Sequence, residues 1–133
     1  IVIDQSRSDF VEQNKLCASD YKFMQLVWES EPICSGDLVK LSFDKLGWKK
    51  STTYTMIKKL SEKGLLKNEN GTVVSLISQK NVQSFESEYV VNNKFGGSLP
   101  AFIASFMRTK KLTEKEAEEI RHLIDNTAED VQW

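Results

Sequence analysis

Histidine occurs once in these 133 residues, and cysteine and proline twice each. The two cysteines, Cys17 and Cys34, have no further Cys or His at metal-ligand spacing, and His122 lies far along the chain. That scarcity argues against a zinc or copper cluster and fits a reducing cytosol, with both thiols expected as small buried or half-buried apolar side chains. His122 sits in the acidic run Glu118-Glu119-Ile120-Arg121-His122, where a solvated, ion-paired histidine is expected. No Ser-His-Asp order, glycine-rich phosphate loop or metal-ligand pair accompanies it, so no catalytic residue, metal or cofactor is expected and the chain does not read as an enzyme. A run of 18 apolar residues is missing too, as is a charged-then-apolar leader with a cleavage site. Neither membrane insertion nor export is expected, and the expected localisation is cytoplasmic.

What is present is ordinary in bulk and uneven in distribution. At 40% hydrophobic and 28% charged residues, the chain can bury a core without disulfides or metals. The net charge of −1 hides an asymmetry. Residues 45 to 67 carry seven lysines (Lys45, Lys49, Lys50, Lys58, Lys59, Lys63, Lys67) against one acid, Glu62, whereas residues 81 to 133 carry six Lys/Arg against nine Asp/Glu. The first segment is suited to a polyanion and the second is not.

Hydrophobic periodicity supplies the architecture. Residues 1 to 15 lack a sustained period and read as a loose tail. Ser19 can cap a helix whose apolar face is Phe23, Met24, Val27 and Trp28, ending at Pro32. Ser35 is placed to cap a second helix with Leu38, Val39 and Leu41 inward, and Ser51 a third with Thr53, Met56, Ile57 and Leu60 inward, stopped by Gly64. Asn70-Gly71 between Leu65-Leu66-Lys67 and the run Val73 to Ile77 signals a tight hairpin. Three helices followed by a hairpin is the order of a winged helix-turn-helix, here over residues 16 to 78.

Residues 79 to 133 read as helical. Ser78 can cap a segment bearing Val82, Phe85, Tyr89 and Val90, and Gly96-Gly97 breaks the chain. Ser98 caps the next helix, which has Pro100 in its first turn, and Thr113 to Glu116 forms a capping box flanked by Leu112 and Ala117. Phe85, Tyr89, Phe102, Ile103, Phe106, Met107, Ile120, Leu123 and Ile124 together present more apolar surface than three short helices readily hide, which predicts a two-fold homodimer. The expected fold class is mainly α with a small β-hairpin wing, a winged helix-turn-helix followed by a C-terminal helical dimerisation domain.

The third helix carries the functional expectation. With its apolar stripe inward, it turns hydroxyls and cations outward, and a helix about 10 to 12 Å across fits the major groove of B-DNA. The residues expected to meet double-stranded DNA are Lys49, Lys50, Ser51, Thr52, Tyr54, Thr55, Lys58 and Lys59, joined by Lys67 and Asn70 of the wing. A second reading, a winged-helix protein-protein adaptor, uses the same surface; the lysine excess favours DNA.

Certain of these residues resemble a known family. Asp20-Tyr21-Lys22-Phe23-Met24 with Trp28, the stretch Thr52 to Leu60 with Lys63-Gly64, Leu76-Ile77-Ser78 and Phe95-Gly96-Gly97-Ser98 are similar, in order and spacing, to the BlaI/MecI/CopY (penicillinase-repressor) family of bacterial repressors. The resemblance implies a dimeric repressor on a palindromic operator, controlling a resistance or stress-response operon. It also implies a membrane sensor pathway or regulatory protease as partner in the β-lactam-responsive branch. The bond aligned with that branch's Asn-Phe cleavage bond is Ser105-Phe106, and Tyr54 stands where the family leads one to expect arginine. No cysteine follows Cys34, whereas the copper-responsive branch carries a C-terminal pair of Cys-x-Cys motifs, so a β-lactam-type signal is expected rather than copper.

Overall fold

The structure, a computed structural model, describes residues 16–130. The expected tail over residues 1–15 lies outside the described residues.

Helix α1 (Ala18–Ser30) buries Phe23, Met24, Leu26 and Val27, and it also buries Asp20. It stops at Glu31, whose extended backbone is what a following proline favours. Its N-cap is Cys17, with no side-chain cap bond, so Ser19 lies inside the helix rather than capping it. A two-residue strand, β1 (Ile33–Cys34), leads directly into α2 (Ser35–Leu46). Here the N-cap is Cys34, whose sulfur accepts the Asp37 N–H at 3.4 Å, one position earlier than the serine the sequence suggests. Both cysteines are exposed rather than buried, because each stands at a helix N-cap outside the apolar stripe. Leu38 and Ser42 are the buried residues of α2; Leu41 is only half-buried.

Helix α3 (Lys50–Glu62) buries Thr53, Ile57 and Leu60, at i, i+4 and i+7, with Met56 half-buried beside them. Gly64, at φ 76°, takes the left-handed turn after it, and Leu65 N–H closes back on the Leu60 carbonyl at 3.0 Å. The chain then forms β2 (Leu66–Glu69) and β3 (Thr72–Ser75), paired antiparallel with Glu69 opposite Thr72. Asn70 and Gly71 join them with φ of 53° and 86°, the two positive values that a two-residue hairpin with native twist requires. The expected hairpin is thus present, but the sheet has a third strand. β1 pairs with β3, Ile33 opposite Val73, giving the order β1-β3-β2.

The core of this part is Phe23, Met24, Val27, Leu38, Leu60, Leu65, Leu66, Val73 and Val82, all essentially inaccessible. Trp48 stacks on Phe23 with ring centroids 5.6 Å apart. The first turns of α4 (Gln79–Lys94) belong to the same body. Ser78 caps the helix by accepting from Asn81 N–H, and Val82 enters the core. Gln79 and Gln83 both donate to the Tyr21 hydroxyl, and Glu86 accepts the Leu16 N–H at 2.8 Å. Packing divides the chain into two units between Val90 and Val91, within α4.

In the second unit, Gly97 N–H returns to the Val91 carbonyl, and Ser98 caps α5 (Leu99–Thr109) by accepting from Ala101 N–H. Thr113 and Glu116 cap α6 (Glu114–Asp130) reciprocally, each side chain accepting the other's backbone N–H at 3.1 Å. Phe95 and Phe102 meet edge to face at 5.2 Å. No described side chain of α5 or α6 is fully buried.

Candidate nucleic-acid interface

The inward stripe of α3 fixes what the helix shows to solvent. At 3.6 residues per turn, Ser51, Thr55 and Lys58 fall opposite Thr53, Ile57 and Leu60. All three are exposed, as are Thr52 and Lys50 on the flanks and Tyr54, which is 38% accessible. Lys49, the N-cap of α3, is exposed and makes no side-chain cap bond. The helix therefore begins with backbone N–H groups that no capping side chain occupies, beside two lysines, an arrangement that attracts phosphate. Eight of the ten expected DNA contacts thus lie on or beside one helix.

The ninth and tenth belong to the sheet. Lys67 on β2 is exposed and pairs with the exposed Glu69 at 3.1 Å, a contact water and salt weaken enough for a phosphate to displace. Asn70, exposed at the hairpin tip, holds its left-handed conformation next to Gly71. Ser35 N–H donates to the Gly71 carbonyl at 2.7 Å, so the start of α2 braces the tip of the wing.

Lys59 departs from the expectation. Its ammonium is not left for phosphate: it donates to Oδ1 of Asp20 at 3.0 Å, and Lys63, one turn on, lies 3.8 Å from Oδ2 of the same carboxylate. Asp20 is 1% exposed. The hydrogen bond that Lys59 donates to Asp20 raises the Lys59 pKa above its ordinary 10.5, against a smaller opposing effect of burial. From the sequence, Asp20 is named only within the family-like stretch and not as a buried partner of α3, although a signal was there: Asp20, Phe23, Met24 and Val27 follow i, i+3, i+4, i+7, which places the acid on the buried stripe of α1. Phe43 on α2, 66% exposed, was also not singled out.

The residues expected at a dimer contact divide. Phe85 and Tyr89 on α4, Phe102 and Ile120 are half-buried. Ile103, Phe106, Met107, Leu123 and Ile124 are exposed, Leu123 at 65%. The Ser105-Phe106 bond lies inside α5. Among the described residues no group of three or more His, Cys, Asp or Glu could hold a metal, and no helix is long and apolar enough to cross a membrane.

A tri-helical body with an uncapped, cationic third helix and a braced hairpin defines a winged helix-turn-helix regulator of the DNA-binding class. The sequence profile of the penicillinase repressors matches residues 16–126, and the chain belongs to that family of transcriptional repressors. It is 18% identical to the penicillinase repressor of Staphylococcus aureus over 119 residues, 86% of this chain and 94% of that one. It is 31% identical over 98 residues to the uncharacterized 16.5 kDa protein in the ptsI 3' region of Latilactobacillus sakei, covering 68% of this chain and 67% of the other. A solved multiple antibiotic-resistance repressor (MarR) from Listeria monocytogenes aligns over 93% of this chain and 84% of its own, with 19% identity and a TM-score of 0.46.

Proposed function

We propose that the chain is a cytoplasmic, dimeric repressor that binds a palindromic operator, each subunit setting α3 in a major groove. The observation that carries this reading is the solvent face of α3, where hydroxyls (Ser51, Thr52, Thr55), the Tyr54 phenol and the cations Lys49, Lys50 and Lys58 stand together and exposed. Hydroxyls and the phenol contact bases or phosphates; the lysines neutralise phosphates and release counterions. Lys67 and Asn70 bring the wing to the backbone or minor groove.

Dimerisation through the second unit supplies the two-fold axis that a palindrome demands. Support comes from α5 and α6, which bury no described side chain while exposing Phe106, Met107, Leu123 and Ile124. Residues 16–78 act as the DNA-reading part and 79–133 as the dimerising part, with the early turns of α4 packed on the reader. Derepression follows a β-lactam-type signal, a reading supported by the likeness to the Staphylococcus aureus penicillinase repressor across most of both chains. A membrane sensor or regulatory protease acting at Ser105-Phe106 would have to open α5 first, because a helical peptide bond does not fit an extended protease cleft.

The test is a fluorescence-anisotropy titration with a duplex selected by the protein from a random pool. Salt-dependent binding is expected, and replacing Thr52, Thr55 and Lys58 together by alanine should weaken it by about 2–3 kcal/mol, close to a hundredfold. Equal affinity of wild type and triple variant for the selected duplex would refute the reading, and a protein-protein adaptor would then be the better account.

A further inference from the structure

Seven lysines crowd residues 45 to 67, yet two of them point at the same buried acid. Asp20 sits on the buried stripe of α1 with Phe23, Met24 and Val27, and its two carboxylate oxygens face Lys59 at 3.0 Å and Lys63 at 3.8 Å. The lysines are four residues apart, Lys59 in the last turn of α3 and Lys63 at its C-cap, close enough for like charges to repel. They remain 44% and 37% exposed, so each could reach solvent or a phosphate if released, whereas Asp20 has no route to water. Withdrawing them would leave a buried carboxylate uncompensated, and that costs more than one solvent-exposed phosphate contact returns.

We propose that Asp20 is a positioning residue for operator selectivity: it withholds Lys59 and Lys63 from the phosphate backbone and sets the roll of α3, so that sequence-blind charge does not outweigh the contacts made by Thr52, Tyr54, Thr55 and Lys58. The proposal rests on the DNA-binding reading above. It separates two sets of lysines on one helix. Lys49, Lys50 and Lys58 have no ion pair among those described and face the duplex; Lys59 and Lys63 are neutralised by the protein itself. The usual role of a lysine excess, indiscriminate attraction to nucleic acid, is thereby reduced in the middle of the segment that carries it.

A purely structural acid, once removed, would weaken binding to every duplex alike and leave the salt dependence where it was. Withholding predicts the reverse. Asp20→Asn keeps the shape of the side chain and frees both lysines. Binding to a scrambled duplex should tighten, roughly 8-fold per lysine at 0.1 M salt, and the slope of log K against log salt should steepen by about 0.9 for each freed cation. The ratio of selected-duplex to scrambled-duplex affinity should fall. Adding Lys59→Gln and Lys63→Gln to Asp20→Asn should return the slope to that of wild type.

Circular dichroism and the urea midpoint establish that each variant is folded. Should Asp20→Asn fail to fold, the single variants Lys59→Gln and Lys63→Gln in the otherwise native chain decide the matter. Each should keep the wild-type salt slope, and a loss of about 0.9 in either would overturn the proposal. A folded Asp20→Asn protein with an unmoved slope would overturn it as well. Both results are distinct from a wild-type chain that binds neither duplex, which would instead remove the DNA-binding reading.

Discussion

Trp28, near the end of α1, donates its indole N–H to the carbonyl of Ile77 at 3.0 Å, joining the first helix of the reading unit to the segment that leaves the wing. Its ring also meets Tyr21 edge to face at 5.7 Å, and the Tyr21 hydroxyl accepts from Gln79 and Gln83. These contacts seat the start of α4 on the same body as α3. Trp28→Phe keeps an aromatic ring but orphans the Ile77 carbonyl and loses part of the packing. The urea-unfolding free energy should fall by about 1–2 kcal/mol. An unchanged midpoint would show that the hydrogen bond is replaced by water at no cost.

The wing offers a backbone test. Gly71 has φ of 86°, its carbonyl accepts the Ser35 N–H, and a Cβ placed there would meet no atom within 4 Å. Gly71→Ala therefore isolates conformational strain from steric clash. A destabilisation of about 1–2 kcal/mol is expected from the left-handed backbone alone. Asn70→Gly, at φ 53°, should be close to neutral by the same measurement.

Much of this was legible because it is local. The Asn70-Gly71 turn, the Ser98 cap and the Thr113-Glu116 capping box are decided within four residues, and each is present as the sequence indicates. The N-termini of α1, α2 and α3 were placed one or two residues late. A serine inside the first turn looks like a cap, while a cysteine sulfur (Cys34) or no side chain at all (Lys49) can occupy the cap position. β1 escaped because two residues carry no alternation, and only its partner Val73, 40 positions on, makes Ile33 a strand residue. The Asp20-Lys59 pair spans 39 positions, so the buried acid could be suspected from its place on the stripe of α1 but its partner could not. The outward face of α3 was readable from the inward one, since a helix period fixes both.

Lys59 gives the chain an alkaline limit. Its pKa is raised above 10.5 chiefly by the hydrogen bond it donates to Asp20, so the ammonium binds its proton more tightly in the folded state than in the unfolded chain. That contribution to stability is complete below pH 10.5 and disappears as pH rises through the higher folded-state value. Urea midpoints should accordingly drop on passing upward through this range. Lys59→Gln, already without the contribution, should show a smaller drop, and identical pH profiles would contradict the coupling.

On the acid side, Glu116 behaves in the opposite sense. Its carboxylate accepts the Thr113 N–H, and hydrogen bonding to Thr113, from the backbone first and the side chain second, lowers its pKa below 4.5; the Thr113 hydroxyl in turn accepts the Glu116 N–H. The cap is fully formed above pH 4.5 and is lost as pH falls through the lower folded value. Helical ellipticity should decline over that interval, and Thr113→Ala should remove most of the decline while costing about 1 kcal/mol at neutral pH.

The proposed dimerisation can be tested apart from folding because the side chains invoked are exposed within one chain. Leu123 and Ile124 are 65% and 59% accessible, so charges there meet water in the monomer and an apolar surface only in a dimer. Burying each would contribute about 1.5–3 kcal/mol, and a two-fold interface loses both from each subunit in the variant Leu123→Asp/Ile124→Asp. Sedimentation should then show a monomer whose circular dichroism and urea midpoint match those of a dilute wild-type sample. Affinity for a full palindrome should collapse toward that for a single half-site, since the two reading helices no longer bind as one body. A variant that still sediments as a dimer would move the interface away from the outer face of α6, with Phe106 and Met107 of α5 the next positions to charge.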